Sequence, residues 1–434
     1  MLLFLLHQTI FKESGADMDH NQRNLSLIIL LLAAFLIMLA LITSPLPNII
    51  AGWRLILVSP SVLITDYVAV GGLAASSFNA AMMVLLYWLA LRTLRAEFNG
   101  MLLAGIFTVA GFSFFGKNPF NVFPVAVGVL IYARLVGKPG RSFAAPMLFA
   151  STIAPMVSQM AFGFGFGWAG FAGGILIGLV GGFLIAALAR HVYSLHAGYN
   201  LYNVGTTGGF VGLCAYMFMR GFGLEVKPAF FWSTEYTLEL GVFFTLLLVT
   251  LVIVGWRLGG SLAGMKAISL RTGRLPTDTV ILDGLGSTLI NMAAVGLVGL
   301  LYIIIIGGVI NGPVLAGLLT MTGFGALGKN LRNILPIMLG VYFITIFKIW
   351  AHTDPGPLIA ALFSTALAPI SGRFGFWAGI FAGILHLPMV MHVGSLHGFM
   401  NLYNNGFAGG LAVMLLIGVL KGIKPELLED SEQN

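Results

Sequence analysis

Long stretches of apolar residues follow one another along almost the whole of this chain, separated by short groups of charged residues. The first runs from residue 25 to residue 42, and many others approach the roughly 20 residues that a helix needs to cross a bilayer. Only 9% of the residues are charged and 58% are hydrophobic, whereas a soluble domain carries about 25% charged residues. The sequence therefore predicts an all-α integral membrane protein, with the lipid bilayer as one of its partners.

The net charge of +7 does not indicate nucleic acid binding, because the basic residues stand singly at the ends of apolar runs. That placement is typical of membrane proteins, whose cytoplasmic loops collect Lys and Arg. Cys214 is the only cysteine in the sequence, which excludes an intrachain disulfide and a cysteine-based metal site. No cleavable signal peptide is expected, and Met18 is an alternative start, since a short polar lead follows it.

One short motif occurs twice among these apolar runs. Residues 194–203 read SLHAGYNLYN, and residues 395–404 read SLHGFMNLYN. If each copy is helical, His196, Asn200 and Asn203 fall at i, i+4 and i+7, which places them on one face. The second copy repeats this spacing at His397, Asn401 and Asn404. Polar side chains are costly inside a bilayer, so a duplicated polar face is informative about function.

The motif belongs to an internal repeat that covers most of the chain. Asn99-Gly100 recurs as Asn311-Gly312, and both pairs are predicted helix starts. The GKN turn at residues 116–118 recurs at 328–330 with the same offset. Farther along, the sequence matches Ser151-Thr152 with Ser364-Thr365. Because many such matches occur in one order, the sequence predicts two related halves, at about residues 65–212 and 282–412.

Corresponding loops of the two halves differ in charge. Two loops of the first half carry basic residues, namely Arg92, Arg95, Arg134, Lys138 and Arg141, while their counterparts at 307–309 and 352–356 contain no Lys or Arg. By the positive-inside rule, corresponding loops lie on opposite sides of the membrane. The sequence therefore predicts two inverted-topology repeats with about fourteen spans, some of them broken or re-entrant.

The predicted organisation has five parts. An N-terminal segment with the first transmembrane helix occupies residues 1–60, and repeat 1 occupies 61–220. A linking helix and a cytoplasmic basic loop form 221–279, the inverted repeat 2 forms 280–420, and a cytoplasmic tail forms 421–434. Both termini are expected in the cytoplasm.

Inverted repeats with broken helices are typical of transporters and channels, whose sites lie near the middle of the membrane where the repeats meet. We therefore expect the two motifs to form facing walls of one polar site. The predicted substrate-binding residues are His196, Asn200, Tyr202, Asn203, Thr206, His397, Asn401, Tyr403 and Asn404. Asn and neutral His suit a neutral or weakly ionised polar solute, or a proton relay. The alternative is that these residues only join neighbouring helices by hydrogen bonds.

A second group of polar residues forms a weaker hypothesis for coupling or pore lining, namely Asp66, Ser151, Thr152, Asp283, Ser364 and Thr365. Asp66 and Asp283 fall at similar points before the two repeats, so the sequence pairs them. An acid in apolar surroundings indicates coupling to an ion, but a helix N-cap or an interfacial position is the commoner explanation. The Ser and Thr residues of this group precede prolines. Because a proline has no backbone N–H, the alternative is that their hydroxyls donate to the carbonyls that the proline leaves without a donor. Lys117 and Lys329 stand in short turns, where an interfacial position is expected.

Catalysis has little support in the sequence, which contains no HExxH, GxSxG or phosphate-binding glycine loop. His386, His392 and His397 are close in sequence, but only His397 has a counterpart in the other half. No Cys or acid stands near them, so no metal site is predicted. The sequence predicts neither an enzyme nor a cofactor.

The repeated GKN turn and the SLHxxxNLYN motif resemble a bacterial family of polytopic membrane proteins known only as a domain of unknown function. This resemblance covers the whole chain and implies no substrate. A weaker resemblance, to urea transporters, rests on residues in matching order in both halves: 98–100, Lys117, Pro124 and 199–200, then 310–312, Lys329, Pro336 and 400–401. It implies a channel-like inverted-repeat fold. The Leu-Pro-Phe of their pore helix is absent here, so urea is not implied.

The sequence thus predicts a permease or channel for a small polar solute in the bacterial plasma membrane. An ion- or proton-coupled secondary transporter is an alternative, and an intramembrane enzyme or a structural scaffold is an alternative of another class. A permease predicts a water-accessible path between the two motifs. An enzyme predicts an acid within hydrogen-bond reach of His196 or His397, and a scaffold predicts neither. The sequence leaves open the formation of a homo-oligomer.

Overall fold

The computed structural model describes residues 20–423, which form α-helices joined by short connections. Within that range the only β-type pairing is an isolated bridge between Thr65 and Phe231. Eight helices are long and apolar enough to cross a membrane, and shorter apolar helices accompany them. The helices therefore indicate a multi-pass membrane protein. The alternative start at Met18 and the tail beyond residue 423 lie outside the described residues.

The described part of the first half forms ten α-helices. They are α1 (His20–Thr43), α2 (Leu46–Val58), α3 (Tyr67–Gly71), α4 (Leu73–Thr93), α5 (Gly100–Phe112), α6 (Pro119–Leu135), α7 (Ala144–Ala150), α8 (Ala154–Ser158), α9 (Gly167–His196) and α10 (Asn203–Gly221). A connection of irregular backbone over residues 222–236 leads to the second half.

The second half repeats this order of helices. They are α11 (Thr237–Arg257), α12 (Leu262–Leu270), α13 (Thr279–Asp283), α14 (Leu285–Ile305), α15 (Gly312–Gly323), α16 (Leu331–Thr345), α17 (Pro355–Phe363), α18 (Ala368–Phe374), α19 (Phe376–Val393) and α20 (Asn404–Ile423). Helix α11 packs on α14 as α1 packs on α4. The linking helix is therefore the counterpart of the first helix, and the predicted basic loop contains a helix, α12, that corresponds to α2.

Asparagine side chains start the central helices of both halves. Asn99 accepts a hydrogen bond from the backbone N–H of Leu102 at 3.0 Å, and Asn311 accepts one from that of Val314 at 3.2 Å. These bonds satisfy N–H groups that a helix leaves without a partner in its first turn. The predicted helix starts at Asn99-Gly100 and Asn311-Gly312 are therefore confirmed.

Helices α5 and α15 form the centre of the protein, where they pack against each other across the two halves. Every residue of α15 is buried, as is all of α5 except Met101. A Cβ atom on Gly111 would lie 2.7 Å from Cα of Ala316, so the two backbones approach more closely than a larger residue allows. The outer helices instead expose apolar side chains such as Trp168 and Trp377.

One helix in each half is interrupted. The helical turn between α7 and α8 becomes a 3₁₀ helix at Ser151–Ile153, and the turn between α17 and α18 does so at Ser364–Leu367. The prolines that follow, Pro155 and Pro369, provide no backbone N–H, which weakens the helix just before them. These breaks agree with the broken helices that the sequence predicts.

The two interrupted helices correspond to each other in a different register from the one predicted by matching Ser151-Thr152 with Ser364-Thr365. The hydroxyl of Ser151 donates to the carbonyl of Leu148 at 2.7 Å, and the hydroxyl of Thr365 donates to that of Leu362 at 2.6 Å. Ser364 makes a similar bond, to the carbonyl of Ala361 at 3.0 Å, so the backbone decides the register. The carbonyl of Thr152 accepts a hydrogen bond from Leu402, and that of Ala366 accepts one from the corresponding Leu201, which makes Ser151 the counterpart of Thr365. The predicted pairing of Ser151-Thr152 with Ser364-Thr365 is wrong by one residue, because both serines and threonines stand next to each other and sequence identity alone favoured the wrong register.

Candidate functional site

The SLHxxxNLYN motif is a helix end, a turn and a helix start in both halves. Helix α9 ends at His196, Ala197 adopts a left-handed conformation with φ of 49°, and α10 begins at Asn203. In the second copy the chain leaves the helix at Gly398, with φ of 58°. The condition under which the sequence places these residues on one helical face is therefore not met, since left-handed residues end the helix in the middle of the motif.

Each histidine of the motif nevertheless contacts the asparagine seven residues later. His196 Nε2 lies 2.9 Å from Asn203 Oδ1, and His397 Nε2 lies 2.9 Å from Asn404 Oδ1. The amide groups of the two asparagines donate in turn to carbonyls of the preceding helix, those of Ala189 and Val390. Each histidine–asparagine pair therefore holds the end of one helix against the start of the next within its own half.

The two motifs meet through Asn200 and Asn401, which reach into the opposite half. Asn200 Nδ2 donates to the carbonyl of Gly406 at 2.9 Å, and Asn401 Nδ2 lies 3.4 Å from the carbonyl of Gly205. A Cβ atom on Gly205 would lie 2.9 Å from Cα of Gly406. The structure thus brings the two copies into direct contact, with glycine required at the point of closest approach.

The unwound turns of the motifs also pair with the helix breaks of the opposite half. The backbone N–H of Leu402 donates to the carbonyl of Thr152 at 2.8 Å, and that of Leu201 donates to the carbonyl of Ala366 at 3.0 Å. The carbonyls lie in the interrupted helices and need hydrogen-bond donors from the protein, because a bilayer interior provides no water. These N–H groups are such donors. The irregular backbone in the centre of the protein is therefore satisfied by the other half.

A cavity of about 240 Å³ lies between the two halves next to these turns. Its lining contains seven pairs of corresponding residues, which are Thr108 and Thr320, Phe112 and Phe324, Phe149 and Phe363, Leu201 and Leu402, Tyr202 and Tyr403, Val204 and Asn405, and Gly205 and Gly406. Most of the lining surface is apolar, with few polar groups, as in many small-molecule sites. The centre of the cavity is therefore lined by corresponding residues of both halves.

Both cavity tyrosines bind a buried lysine from the opposite half. Lys117 Nζ donates to the hydroxyl of Tyr403 at 2.5 Å, and Lys329 Nζ donates to that of Tyr202 at 2.7 Å. Each Nζ also lies 4.5 Å from the centre of the same tyrosine ring, a cation–π distance. Lys329 Nζ further donates to Thr365 Oγ1 at 2.8 Å.

The expected interfacial position of Lys117 and Lys329 is wrong, because both side chains are completely buried. Asn79 and Asn291 fix the two turns by donating to the backbone carbonyls of Lys117 and Lys329, each at 2.8 Å. The following Asn118 forms a reciprocal capping box with Asn121, which starts α6. One signal in the sequence could have indicated these buried turns. Asn79 precedes Lys117 by the same number of residues as Asn291 precedes Lys329.

The acids of the second hypothesis have structural partners. Asp66 caps α3 through the N–H of Val68 and accepts two hydrogen bonds from Ser233, so the N-cap interpretation applies to it. Its counterpart is Asp278, which caps α13 and binds the N–H of Gly100 at 2.9 Å. The predicted pairing of Asp66 with Asp283 is wrong, because Asp283 instead forms an ion pair with Arg271 at 2.7 Å.

The cavity extends toward one end of the protein only. Eight lining residues cluster there, at the starts of α5, α7 and α10, the end of α9 and the segment before α13: Met101, Ala145, Pro146, Ala189, Tyr193, Asn203, Leu275 and Pro276. Their counterparts in the other half do not line the cavity; these are Pro313, Ile359, Ala360, Val390, Gly394, Asn404, Leu63 and Ile64. The lining is thus paired in the centre and one-sided beyond it.

The connection between the halves covers the opposite end. Its backbone pairs with the segment that corresponds to residues 275–278: the N–H of Ile64 donates to the carbonyl of Ala229 at 2.7 Å, and that of Phe231 donates to the carbonyl of Ile64 at 3.0 Å. Asn311 Nδ2 binds the carbonyl of Ser233 at 3.0 Å, which attaches the connection to the start of α15.

The sequence model of one protein family, described as "protein of unknown function (DUF1576)", matches residues 46–221 and 259–422. The chain belongs to the DUF1576 family. No curated protein and no solved structure matches it. The two matched regions begin at α2 and near α12 and end within α10 and α20, so the DUF1576 family covers the corresponding nine helices of each half.

Three of the predicted substrate-binding residues of this DUF1576 protein line the cavity, namely Tyr202, Asn203 and Tyr403. The others do not line it and make the contacts described above; Thr206 binds Asn200 and the carbonyl of Gly406. The alternative that the sequence left open, hydrogen bonding between helices, describes His196, His397 and Asn404 in this structure. Within residues 20–423, no group of three or more His, Cys, Asp or Glu side chains is placed to hold a metal ion.

We predict that His196→Ala lowers the thermal stability of the purified protein. The substitution removes the hydrogen bond between His196 Nε2 and Asn203 Oδ1, which costs about 0.5–1.5 kcal/mol, and it leaves a cavity where a completely buried side chain stood. His191→Ala, which removes an exposed histidine from the same helix, is the matched control and should leave the unfolding temperature unchanged. Equal unfolding temperatures for the two variants in detergent would contradict a structural role for His196.

We also predict that Gly205→Ala and Gly406→Ala each destabilise the contact between the halves. An added Cβ would lie within about 3 Å of the opposite backbone, and overpacking of this kind costs about 1–3 kcal/mol. Gly418→Ala is the control in helix α20, since nothing lies within 4 Å of a Cβ added there. The comparison is made by thermal unfolding, and a control as destabilised as the two central variants would refute the close contact.

Proposed function

We propose that this DUF1576 protein is a membrane permease for a small polar solute, with its site between two inverted-topology repeats. The observation that carries the proposal is the central cavity, whose lining includes seven pairs of corresponding residues from the two halves. A site at the meeting point of two repeats, next to interrupted helices, is the arrangement that many transporters share.

The inverted arrangement is supported by the distribution of basic residues. The helix ends at the open end of the cavity carry Arg92, Arg95, Lys138, Arg141, Arg190, Arg271 and Arg274, whereas the corresponding connection at 306–311 carries no Lys or Arg and the one at 346–354 carries only Lys348. The positive-inside rule then assigns the open end of the cavity to the cytoplasm. A bacterial plasma membrane, cytoplasmic termini and about fourteen spans remain part of this proposal.

The one-sided cavity favours a carrier over an open channel. A channel needs a continuous path, but the end opposite the basic loops is covered by the connection at residues 229–233, which pairs with residues 63–66. In a carrier built from inverted repeats, the second half can adopt the conformation that the first half has here, and the site then opens to the other side. A carrier is therefore the form of the proposal that these contacts support best, and coupling to an ion or a proton stays an alternative.

The enzyme and scaffold alternatives have less support. The enzyme alternative predicts an acid within hydrogen-bond reach of His196 or His397, and in both copies an asparagine occupies that position. A scaffold gives no reason for a cavity lined in matching pairs, or for Thr320 Oγ1, which lies in the lining without a hydrogen-bond partner.

We predict that the purified protein, reconstituted in liposomes, speeds the entry of at least one of four small solutes: glycerol, urea, lactamide and lactate. Ala145→Trp should abolish that entry, because Ala145 lines the open end of the cavity. Entry is followed by light scattering for the neutral solutes and by radiolabel uptake for lactate.

The matched control is Gly418→Trp, which places the same side chain where nothing lies within 4 Å of an added Cβ. It should transport like the unmodified protein. The proposal fails if none of the four solutes enters faster than in protein-free liposomes, or if Ala145→Trp transports as well as Gly418→Trp.

A further inference from the structure

We infer that the ligand of the central cavity is a small monocarboxylate, whose charged group binds between the hydroxyls of Tyr202 and Tyr403. This inference rests on the proposed function and names the substrate class of the same site. Its basis is that each of these tyrosines connects the cavity to a buried lysine of the opposite half.

The first argument is charge balance. Lys117 and Lys329 are both 0% exposed, and within residues 20–423 neither forms an ion pair, since the ion pairs there join Arg220 to Glu225 and Arg271 to Asp283. Placing an ammonium group in an apolar interior without a counter-ion is costly, so buried charges are usually paired. A carboxylate bound between the two tyrosines lies near both lysines and supplies one negative charge, which offsets half of the charge of the two ammonium groups.

The second argument is the direction of the hydrogen bonds. A lysine ammonium group only donates, so the hydroxyl oxygens of Tyr202 and Tyr403 act as acceptors toward Lys329 and Lys117. The proton of each hydroxyl is then available either to a neighbouring hydroxyl, that of Thr365 for Tyr202 and that of Ser151 for Tyr403, or to a ligand in the cavity that both tyrosines line. Two donors backed by cations suit the two oxygens of a carboxylate, because hydrogen bonds to a charged acceptor are stronger than those to a neutral one.

A third polar group points to a ligand independently. Thr320 is 2% exposed and lines the cavity, but its Oγ1 has no hydrogen-bond partner. Its counterpart in the other half, Thr108, donates to the carbonyl of Ala104 at 2.8 Å. A buried hydroxyl without a partner is costly, and a polar atom of the ligand would satisfy it.

The rest of the lining decides between a carboxylate and an inorganic anion. Four phenylalanines surround the tyrosines, namely Phe112, Phe149, Phe324 and Phe363, and the polar share of the lining is small. A carboxylate with a short hydrocarbon body places its charge near the tyrosines and its apolar atoms against these rings. An inorganic anion would leave that apolar surface without a partner.

The test compares carboxylates with the amides of the same shape. The full-length protein in detergent is titrated with lactate and lactamide, and with butyrate and butyramide, at equal ionic strength, while its unfolding temperature is measured. A ligand that binds only the folded protein raises that temperature. The two carboxylates should raise it at concentrations where the two amides do not.

Variants then assign the effect to the site. Tyr403→Phe removes one hydroxyl and keeps the lysine, and Lys117→Met removes the charge; each should weaken lactate binding by roughly tenfold or more, as the loss of a charge-assisted hydrogen bond implies. Lys266→Met, which removes an exposed lysine, should bind lactate like the unmodified protein. If Lys117→Met does not fold, Tyr403→Phe and Tyr202→Phe decide the result.

The outcomes separate this inference from the proposed function. The monocarboxylate inference is overturned if the amides alone stabilise the protein, or if both members of each pair stabilise it equally. It is also overturned if proteoliposomes take up lactamide but not lactate. In each of these cases the proposed permease function stands. No stabilisation by either carboxylate also overturns the monocarboxylate inference. Carboxylate binding without any uptake of the four solutes in liposomes supports the ligand class and contradicts the permease.

Discussion

The contact between Gly205 and Gly406 sets the geometry of the whole centre of this protein. Because neither residue has a side chain, the two motifs approach until their backbones touch. That approach brings Asn200 and Asn401 within reach of carbonyl groups in the opposite half. Both glycines also line the central cavity.

The bonds that satisfy the irregular backbone are exchanged between the halves. The turn at Leu201 binds the break at Ala366, and the turn at Leu402 binds the break at Thr152. The lysine–tyrosine bonds cross in the same way. Inside a bilayer, an unpaired peptide group costs several kcal/mol, so broken helices are stable only where another part of the protein provides donors and acceptors. Each half therefore completes the other, and a half alone would leave these groups without partners.

The sequence predicted the features that depend on local chemistry. The asparagine helix starts, the membrane helices, the broken helices and the contact between the two motifs followed from capping residues, apolar runs, prolines and the repeat. The turn that ends the helix inside the motif was not predicted. A spacing of i, i+4 and i+7 fits a helix, but it also fits a helix end and a turn in which His196 contacts Asn203. Nothing in the sequence at Ala197 indicates that this residue adopts a left-handed backbone conformation.

The burial of Lys117 could not be predicted from its own surroundings, since its hydroxyl partner, Tyr403, is 286 residues away in the chain. A lysine in a short turn is usually interfacial, and only the second half shows why this one is not. The counterpart of Asp66 could have been predicted from the sequence. The offset that joins Asn99 to Asn311 also joins Asp66 to Asp278, and applying it strictly would have found the correct counterpart.

The account depends most on the opposite insertion of the two halves, and the side of two corresponding loops tests it directly. Lys138 and Thr353 are exposed in such loops, and Cys214, the only cysteine of the sequence, can be replaced by serine. Single-cysteine variants Lys138→Cys and Thr353→Cys are labelled with a membrane-impermeant maleimide in intact cells and in inside-out vesicles. The account predicts that Thr353→Cys reacts only in cells and Lys138→Cys only in inside-out vesicles. Labelling of both from the same side would contradict it.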